Sequence, residues 1–255
     1  MTKDHRYSVQ PKSGEPWVSI PDAKDFDGWG HDQTVMSNQI NRQTEKYRTY
    51  ISIFDFLQEN RIDGDYHEFG CHRGRTFRMA LSEARRQNME GMRFYAYDSF
   101  EGLPPATSDP DQELWRQPGA LATGEEDFLD LIREHGIYVD RVETIKGYYS
   151  DSLTAAQQNK VLETGRKVSL ACIDCDLYES AVDAFAYIDP LLQEGSVLYI
   201  DDMFTGYRGS PNRGVARAFL EFQKESRFRF VSHMQVGWWG RTFIAFDGAE
   251  PDGVL

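Results

Sequence analysis

KVSLACIDCDLYESAVDAFAYIDPLLQEGSVLYIDD, residues 167–202, reads as strand, helix, strand. KVSLACID (167–174) is a short apolar run ending in Asp174. YESAVDAFAYIDPLL (178–192) reads as a helix, and EGSVLYIDD (194–202) is a second apolar run ending in Asp201 and Asp202. A strand joined through a helix to a second strand is the unit of a parallel sheet. In such sheets ligands collect outside the carboxyl ends of the strands, at the switch point of the topology. The last residues of each strand therefore decide the function.

The same alternation extends outward. YHEFG (66–70), RFYAYDSF (93–100) and RVETIKGYY (141–149) read as further strands. RGRTFRMALSEARRQN (73–88), GEEDFLDLIREHG (124–136) and RGVARAFLEFQKE (213–225) read as helices. The second of these carries acids in its first turn and Gly136 at its end, the expected start and stop signals. FRFVSHM (228–234) and RTFIAFD (241–247) are strands joined by QVGWWG, a hairpin. The expected fold is α/β and Rossmann-like, with a mostly parallel seven-stranded sheet and a terminal antiparallel hairpin. Before it, TEKYRTYISIFDFLQEN (44–60) predicts a helix whose apolar stripe is Tyr47, Tyr50, Ile51, Phe54 and Leu57. HDQTVMSNQINRQ (31–43) is polar enough to serve as a mobile cover, and residues 1–30, with Pro11, Pro16 and Pro21, read as an irregular arm. The expected division is an arm and lid-like segment over 1–50 and one domain over 51–255.

The 255 residues include 40% hydrophobic ones, enough for a sizeable core and too many for a disordered chain. A net charge of −13 without a basic stripe argues against nucleic acid as a partner. There is no apolar leader in MTKDHRYSVQ and no run of 18 apolar residues, so the expectation is a cytoplasmic protein with no membrane partner. Cys172 and Cys175 form a C-x-x-C pair, but residues three apart on a strand point to opposite faces. With no second cysteine pair to complete a zinc site, all three cysteines read as core fillers.

The residues at the strand ends are Glu68, Asp98, Asp174 and Asp201, all acidic. Glu68-Phe69-Gly70-Cys71-His72-Arg73-Gly74 is a strand, a tight turn and a helix start, as in a nucleotide-binding loop, though it lacks the full G-x-G-x-x-G. An acid at the end of the second strand, Asp98, can accept hydrogen bonds from ribose hydroxyls. Asp174, Asp176, Asp201 and Asp202 end neighbouring strands, about 5 Å apart. Carboxylates held so close repel one another unless a cation neutralises them. Hard oxygen ligands suit Mg²⁺, Mn²⁺ or Ca²⁺ rather than zinc. Asp at loop starts, capping the next helix, is the structural alternative.

DSFEGLPP (98–105), IDCDLYESAVDAF (173–185) and SVLYIDDMF (196–204) resemble the macrocin O-methyltransferase family, over about residues 33–246. The resemblance implies a class I methyltransferase sheet and transfer of a methyl group from S-adenosylmethionine to a sugar hydroxyl of a glycosylated natural product, with Mg²⁺ or Mn²⁺ bound. It implies that Asp174, Asp201 and Asp202 ligate the metal and that Asp176 is the general base. It implies that Glu68, Gly70, Arg73, Thr76, Asp98, Ser99, Phe100, Tyr149 and Asp151 hold the donor, and that the protein is a dimer. CHRG (71–74) departs from the family pattern. Tyr149 can stack on adenine or belong to the core. His67 reads as structural, while His72 and His233 are weaker candidates for the base. Trp238 and Trp239 at the hairpin tip can stack on a sugar, pack in the core or meet a second subunit. Tyr207, Arg208 and Arg213 are candidate acceptor contacts. The alternatives are a metal-dependent hydroxylase or lyase on the same scaffold, a non-catalytic donor-binding protein and, disfavoured by the glycine pattern, a nicotinamide dehydrogenase.

Overall fold

The computed structural model describes residues 20–107, 111–112 and 117–248. Most of the N-terminal arm, residues 1–19, lies outside the described residues. The chain divides into two units, 1–42 and 43–255, with the division inside helix α1 (His31–Glu59). In the first unit a 3-10 turn, Ala23–Phe26, is closed at its start by Asp22 and Asp25, whose side chains and backbone amides bond reciprocally. Trp29 Nε1 donates to Thr34 Oγ1 at 2.8 Å. The polar stretch 31–43 is helical, forming the first turns of α1.

In the second unit strands and helices alternate, but the third strand stops at Lys146 rather than running through Tyr149, and two helices, Tyr149–Ser152 and Ala155–Glu163, follow it that the sequence reading does not contain. The elements are β1 (Asp65–Phe69), α2 (Arg75–Arg86), β2 (Phe94–Asp98), α3 (Glu125–His135), β3 (Val142–Lys146), α4 (Tyr149–Ser152) and α5 (Ala155–Glu163). There follow β4 (Val168–Ile173), α6 (Tyr178–Ile188), β5 (Val197–Ile200), α7 (Gly214–Glu225), β6 (Phe228–Val236) and β7 (Gly240–Asp247). The strands form one sheet in the order β3-β2-β1-β4-β5-β7-β6. β1 through β5 pair in parallel, and β7 runs antiparallel to both β5 and β6. The order reverses at β1, so the switch point lies between β1 and β4, where Glu68 and Asp174 end up. The central strands β1, β4 and β5 are buried throughout, as strands covered on both faces must be.

Strand alternation builds two apolar layers. Leu170, Cys172, Val197 and Tyr199 face one layer, with Tyr50, Phe54, Phe77 and Phe128. Ala171, Ile173, Leu198 and Ile200 face the other, with Phe185, Phe219 and Phe222. Cys172 and Cys175 fall in different layers, and all three cysteines are buried free thiols. The acids that open α3 are Glu125, Glu126 and Asp127, and Gly136 ends it in the left-handed conformation, φ 72°.

One sequence expectation is corrected on α1. Tyr47 is 41% exposed, and the buried stripe of the second unit runs through Lys46, Thr49, Tyr50, Ile53, Phe54 and Leu57. Tyr50, Phe54 and Leu57 are buried as expected, Ile51 is half-buried, and the buried face extends to the side of Lys46, Thr49 and Ile53 instead of Tyr47. A lysine therefore enters the interior where a tyrosine was expected.

Candidate active site

One side of the candidate site begins at the turn after β1. Gly70 has φ +90°, a conformation that L side chains rarely adopt. A methyl group there would overlap the carbonyl oxygen of Asp174 and sit 2.8 Å from its carbonyl carbon. The missing side chain thus lets the turn after β1 lie directly on the turn after β4. Asp98 organises the same turn. Its Oδ2 accepts from the backbone amides of Cys71 at 2.7 Å and His72 at 3.0 Å, and its Oδ1 accepts from Phe100 N at 2.8 Å. A carboxylate has about four acceptor positions, so the fold uses most of Asp98 for its own loops.

Ser99 Oγ donates to Gly102 O at 2.7 Å and accepts from Glu101 N at 3.0 Å, closing the DSFEG turn. Phe100 is buried against Phe128 with a left-handed backbone, φ 55°. Thr76 is buried in the first turn of α2, while Arg73 and Asp151 are exposed. Tyr149 Oη donates to Tyr97 O at 3.1 Å, and its ring meets Phe69 edge-on at 5.9 Å. His72 Nδ1 lies 2.7 Å from Leu121 O and 3.1 Å from Thr123 Oγ1, tying the turn after β1 to residues 121–123.

Glu68 is buried on the α1 side of the sheet. Burial pushes its carboxyl up to about 8, although the Tyr66 hydroxyl and the Lys46 charge pull the other way. Tyr66 donates to Glu68 Oε2, and Tyr50 and Tyr66 share a hydrogen bond of 2.9 Å. Two residues apart on one strand, Tyr66 and Glu68 share a face.

The acid side gathers at the ends of β4 and β5. One oxygen from each of Asp174, Asp201 and Asp202 lies within 4.8 Å of the others. Lys46 Nζ donates to Asp174 Oδ2 and to Asp201 Oδ2, both at 2.9 Å. Burial works against the charge on Lys46, but Asp174 and Asp201 hold its ammonium well above the usual lysine value. Asp201 Oδ1 accepts from the Tyr199 hydroxyl and from Trp239 Nε1, the latter at 3.0 Å. Burial opposes charge on Asp201, yet Lys46 and the Tyr199 hydroxyl hold its carboxyl below the ordinary value. Asp174 is pushed well above it by burial and by the Asp201 charge. Burial and the same neighbour push Asp202 up to about 6. Asp176 is raised well above by burial and by Asp202, and its backbone is left-handed, φ 62°.

The donor set fits a hard divalent cation. It is all oxygen, it is crowded with negative charge, and the buried Asp202 Oδ2 has no hydrogen-bond partner. The one cation among the described residues that bridges the cluster's acids is the ammonium of Lys46.

Three parts of this arrangement escaped the sequence reading. Lys46 had a signal: a lysine four residues before Tyr50 and eight before Phe54 stands on an apolar stripe. Tyr66-x-Glu68 and Tyr199-x-Asp201 had another, since a period of two sets each hydroxyl beside its acid. Trp239 is 4% exposed and bonded to Asp201, so that half of the hairpin-tip pair belongs to the interior; Trp238 is 56% exposed. Tyr207 donates to Asp111, whose other oxygen accepts from Tyr178 N at 2.8 Å at the start of α6. Arg213 is exposed. His67 is fully buried beside Tyr97, and burial lowers its imidazole to about 3, which leaves it neutral and structural. His233 packs against Phe56 at 5.0 Å.

A family model described as Macrocin-O-methyltransferase (TylF) matches residues 42–235. An 8-demethyl-8-(2,3-dimethoxy-alpha-L-rhamnosyl)-tetracenomycin-C 4'-O-methyltransferase from Streptomyces olivaceus is 30% identical over 146 residues, covering 55% of this chain and 53% of the relative. A demethyldecarbamoylnovobiocin O-methyltransferase from Streptomyces niveus is 26% identical over 148 residues, 56% of this chain and 54% of the relative. The chain thus spans about half the length of the curated relatives it matches. Among solved structures, the O-methyltransferase NovP superposes with a TM-score of 0.65 at 19% identity, over 79% of this chain and 80% of that one.

Proposed function

The chain belongs to the macrocin O-methyltransferase family, and from that premise we propose that it transfers a methyl group from S-adenosylmethionine to a sugar hydroxyl of a glycosylated natural product, with a divalent cation in its acid cluster. The observation that carries the reading is the meeting of two structures at the switch point. The turn after β1, braced by Asp98, lies in backbone contact with the turn that carries Asp174 and Asp176. The methyl donor and the acceptor hydroxyl then share one wall, which is what in-line transfer requires. The two curated relatives are named for O-methylation of natural products, one of them at a rhamnosyl-bearing compound.

A sugar hydroxyl is a weak nucleophile because it keeps its proton at neutral pH. A cation held by Asp174, Asp201 and Asp202 would supply Lewis acidity to that hydroxyl. Asp176 takes the proton. Asp98 keeps the amides of Cys71, His72 and Phe100 in register, so the donor loop is ordered before the donor arrives. Glu68, Ser99, Phe100 and Tyr149 line or support that side.

The test is titration calorimetry of S-adenosylmethionine and S-adenosylhomocysteine into the protein, with Mg²⁺ and with EDTA. Micromolar binding of either supports the reading. Absence of binding in both buffers removes the donor site and brings the hydroxylase, lyase and non-catalytic alternatives forward.

A further inference from the structure

Lys46 has no part in the chemistry above, yet it occupies the centre of the acid cluster. Its side chain reaches from α1 across 128 and 155 positions of sequence to bond Asp174 and Asp201 at equal distances of 2.9 Å. It is 7% exposed, so solvent takes little part in balancing these charges. We propose that Lys46 is the resident counter-ion of the cluster, and that a divalent cation binds by displacing its ammonium from Asp174 and Asp201. The inference rests on the metal reading of those acids.

Three observations carry it. First, the two oxygens that Lys46 holds belong to two of the three acids of the proposed metal set. Second, Asp201 has little acceptor capacity left. Its Oδ1 takes Tyr199 and Trp239 and its Oδ2 takes Lys46, so of about four acceptor positions only one on Oδ2 is open, and a metal there would sit beside the ammonium, whose like charge opposes it. Third, an ammonium keeps its oxygens farther away than a metal does. Mg²⁺ holds oxygen at about 2.1 Å, against the 2.9 Å found here. The two carboxylates cannot close to metal-bonding distance around a cation while the larger ammonium holds them apart. Meanwhile Asp202 Oδ2 stays buried without a partner.

The consequence is that metal affinity is set by a side chain that never touches the metal. Without Lys46 the cluster loses one positive charge and one competitor. The experiment is calorimetric titration of Mn²⁺ into wild-type protein and Lys46→Met, with no donor or acceptor present. The expected result is a dissociation constant at least tenfold lower in the variant, with a larger Mn²⁺-induced rise in Tm. Equal or weaker Mn²⁺ binding in Lys46→Met overturns the proposal and leaves the metal reading standing. No Mn²⁺ binding to either protein overturns both.

If Lys46→Met does not fold, the wild type serves. Its lysines are acetylated with a water-soluble N-hydroxysuccinimide ester with and without Mn²⁺, and the peptide carrying Lys46 is quantified by mass spectrometry. Displacement predicts a severalfold rise in Lys46 acetylation with Mn²⁺, while other lysines stay constant. An unchanged yield at Lys46 overturns the proposal.

Discussion

Replacing Glu68 with glutamine isolates one proton. Glu68 is buried, and its carboxyl is pushed from an ordinary 4.5 up to about 8. Between those values the folded protein keeps a proton that the unfolded chain has released. Stability then falls as pH rises through that window, by about 1.4 kcal/mol per pH unit. From pH 6 to pH 9 the window covers two units, from 6 to 8, so this group removes about 2.7 kcal/mol from the wild type. Glutamine carries no titrating proton, and its carbonyl still accepts from the Tyr66 hydroxyl. The assay is urea unfolding of both proteins at pH 6 and at pH 9, without donor or metal. At pH 6 the two should agree within about 1 kcal/mol, the cost of an exchange that keeps the accepted bond. At pH 9 Glu68→Gln should be the more stable by about 2–3 kcal/mol. Acids remote from Glu68 titrate equally in both proteins and cancel in the difference. A stability difference that is the same at both pH values refutes the reasoning, because Glu68 would then be charged in the folded state at pH 6.

Asp176→Asn should lower turnover by about 10²–10⁴-fold, the usual contribution of a positioned base, while calorimetry finds donor affinity unchanged. Wild-type turnover in that variant removes Asp176 from the role. Asp98→Asn leaves at least one of three backbone amides facing an amide donor; a loss of about 1–3 kcal/mol in unfolding free energy and weaker S-adenosylhomocysteine binding are expected together. Unchanged values for both would show that the turn at 70–72 does not depend on the carboxylate. Gly70→Ala should be the most damaging of these changes. It combines a positive φ with overlap on the Asp174 carbonyl, and a loss above about 3 kcal/mol should appear as a large drop in Tm.

The sheet was readable because its signals are local. Apolar runs such as KVSLACID end in acids, Gly136 stops α3, and QVGWWG separates two strands. Each depends on a few neighbouring residues. The acids at the strand ends were readable for the same reason, since parallel order sends every strand end to one edge. The partners of those acids were harder to see. Lys46 reaches Asp201 only because α1 packs with a particular rotation, and its apolar stripe allowed a neighbouring rotation that buried Tyr47 instead. Trp239 meets Asp201 only because β7 pairs beside β5, where Ile200 lies opposite Arg241. Contacts between distant segments were set by packing, and the spacing of residues in the chain carries no record of them.

The overlap at Gly70 has a consequence for anyone who would redesign the protein. The turns after β1 and β4 touch through their backbones, so no side chain can be exchanged there to loosen one without moving the other. Substitutions are better tolerated where side chains reach solvent, as at Trp238, which is 56% exposed. A saturation library at residue 70, sorted for folded protein, should return glycine almost alone.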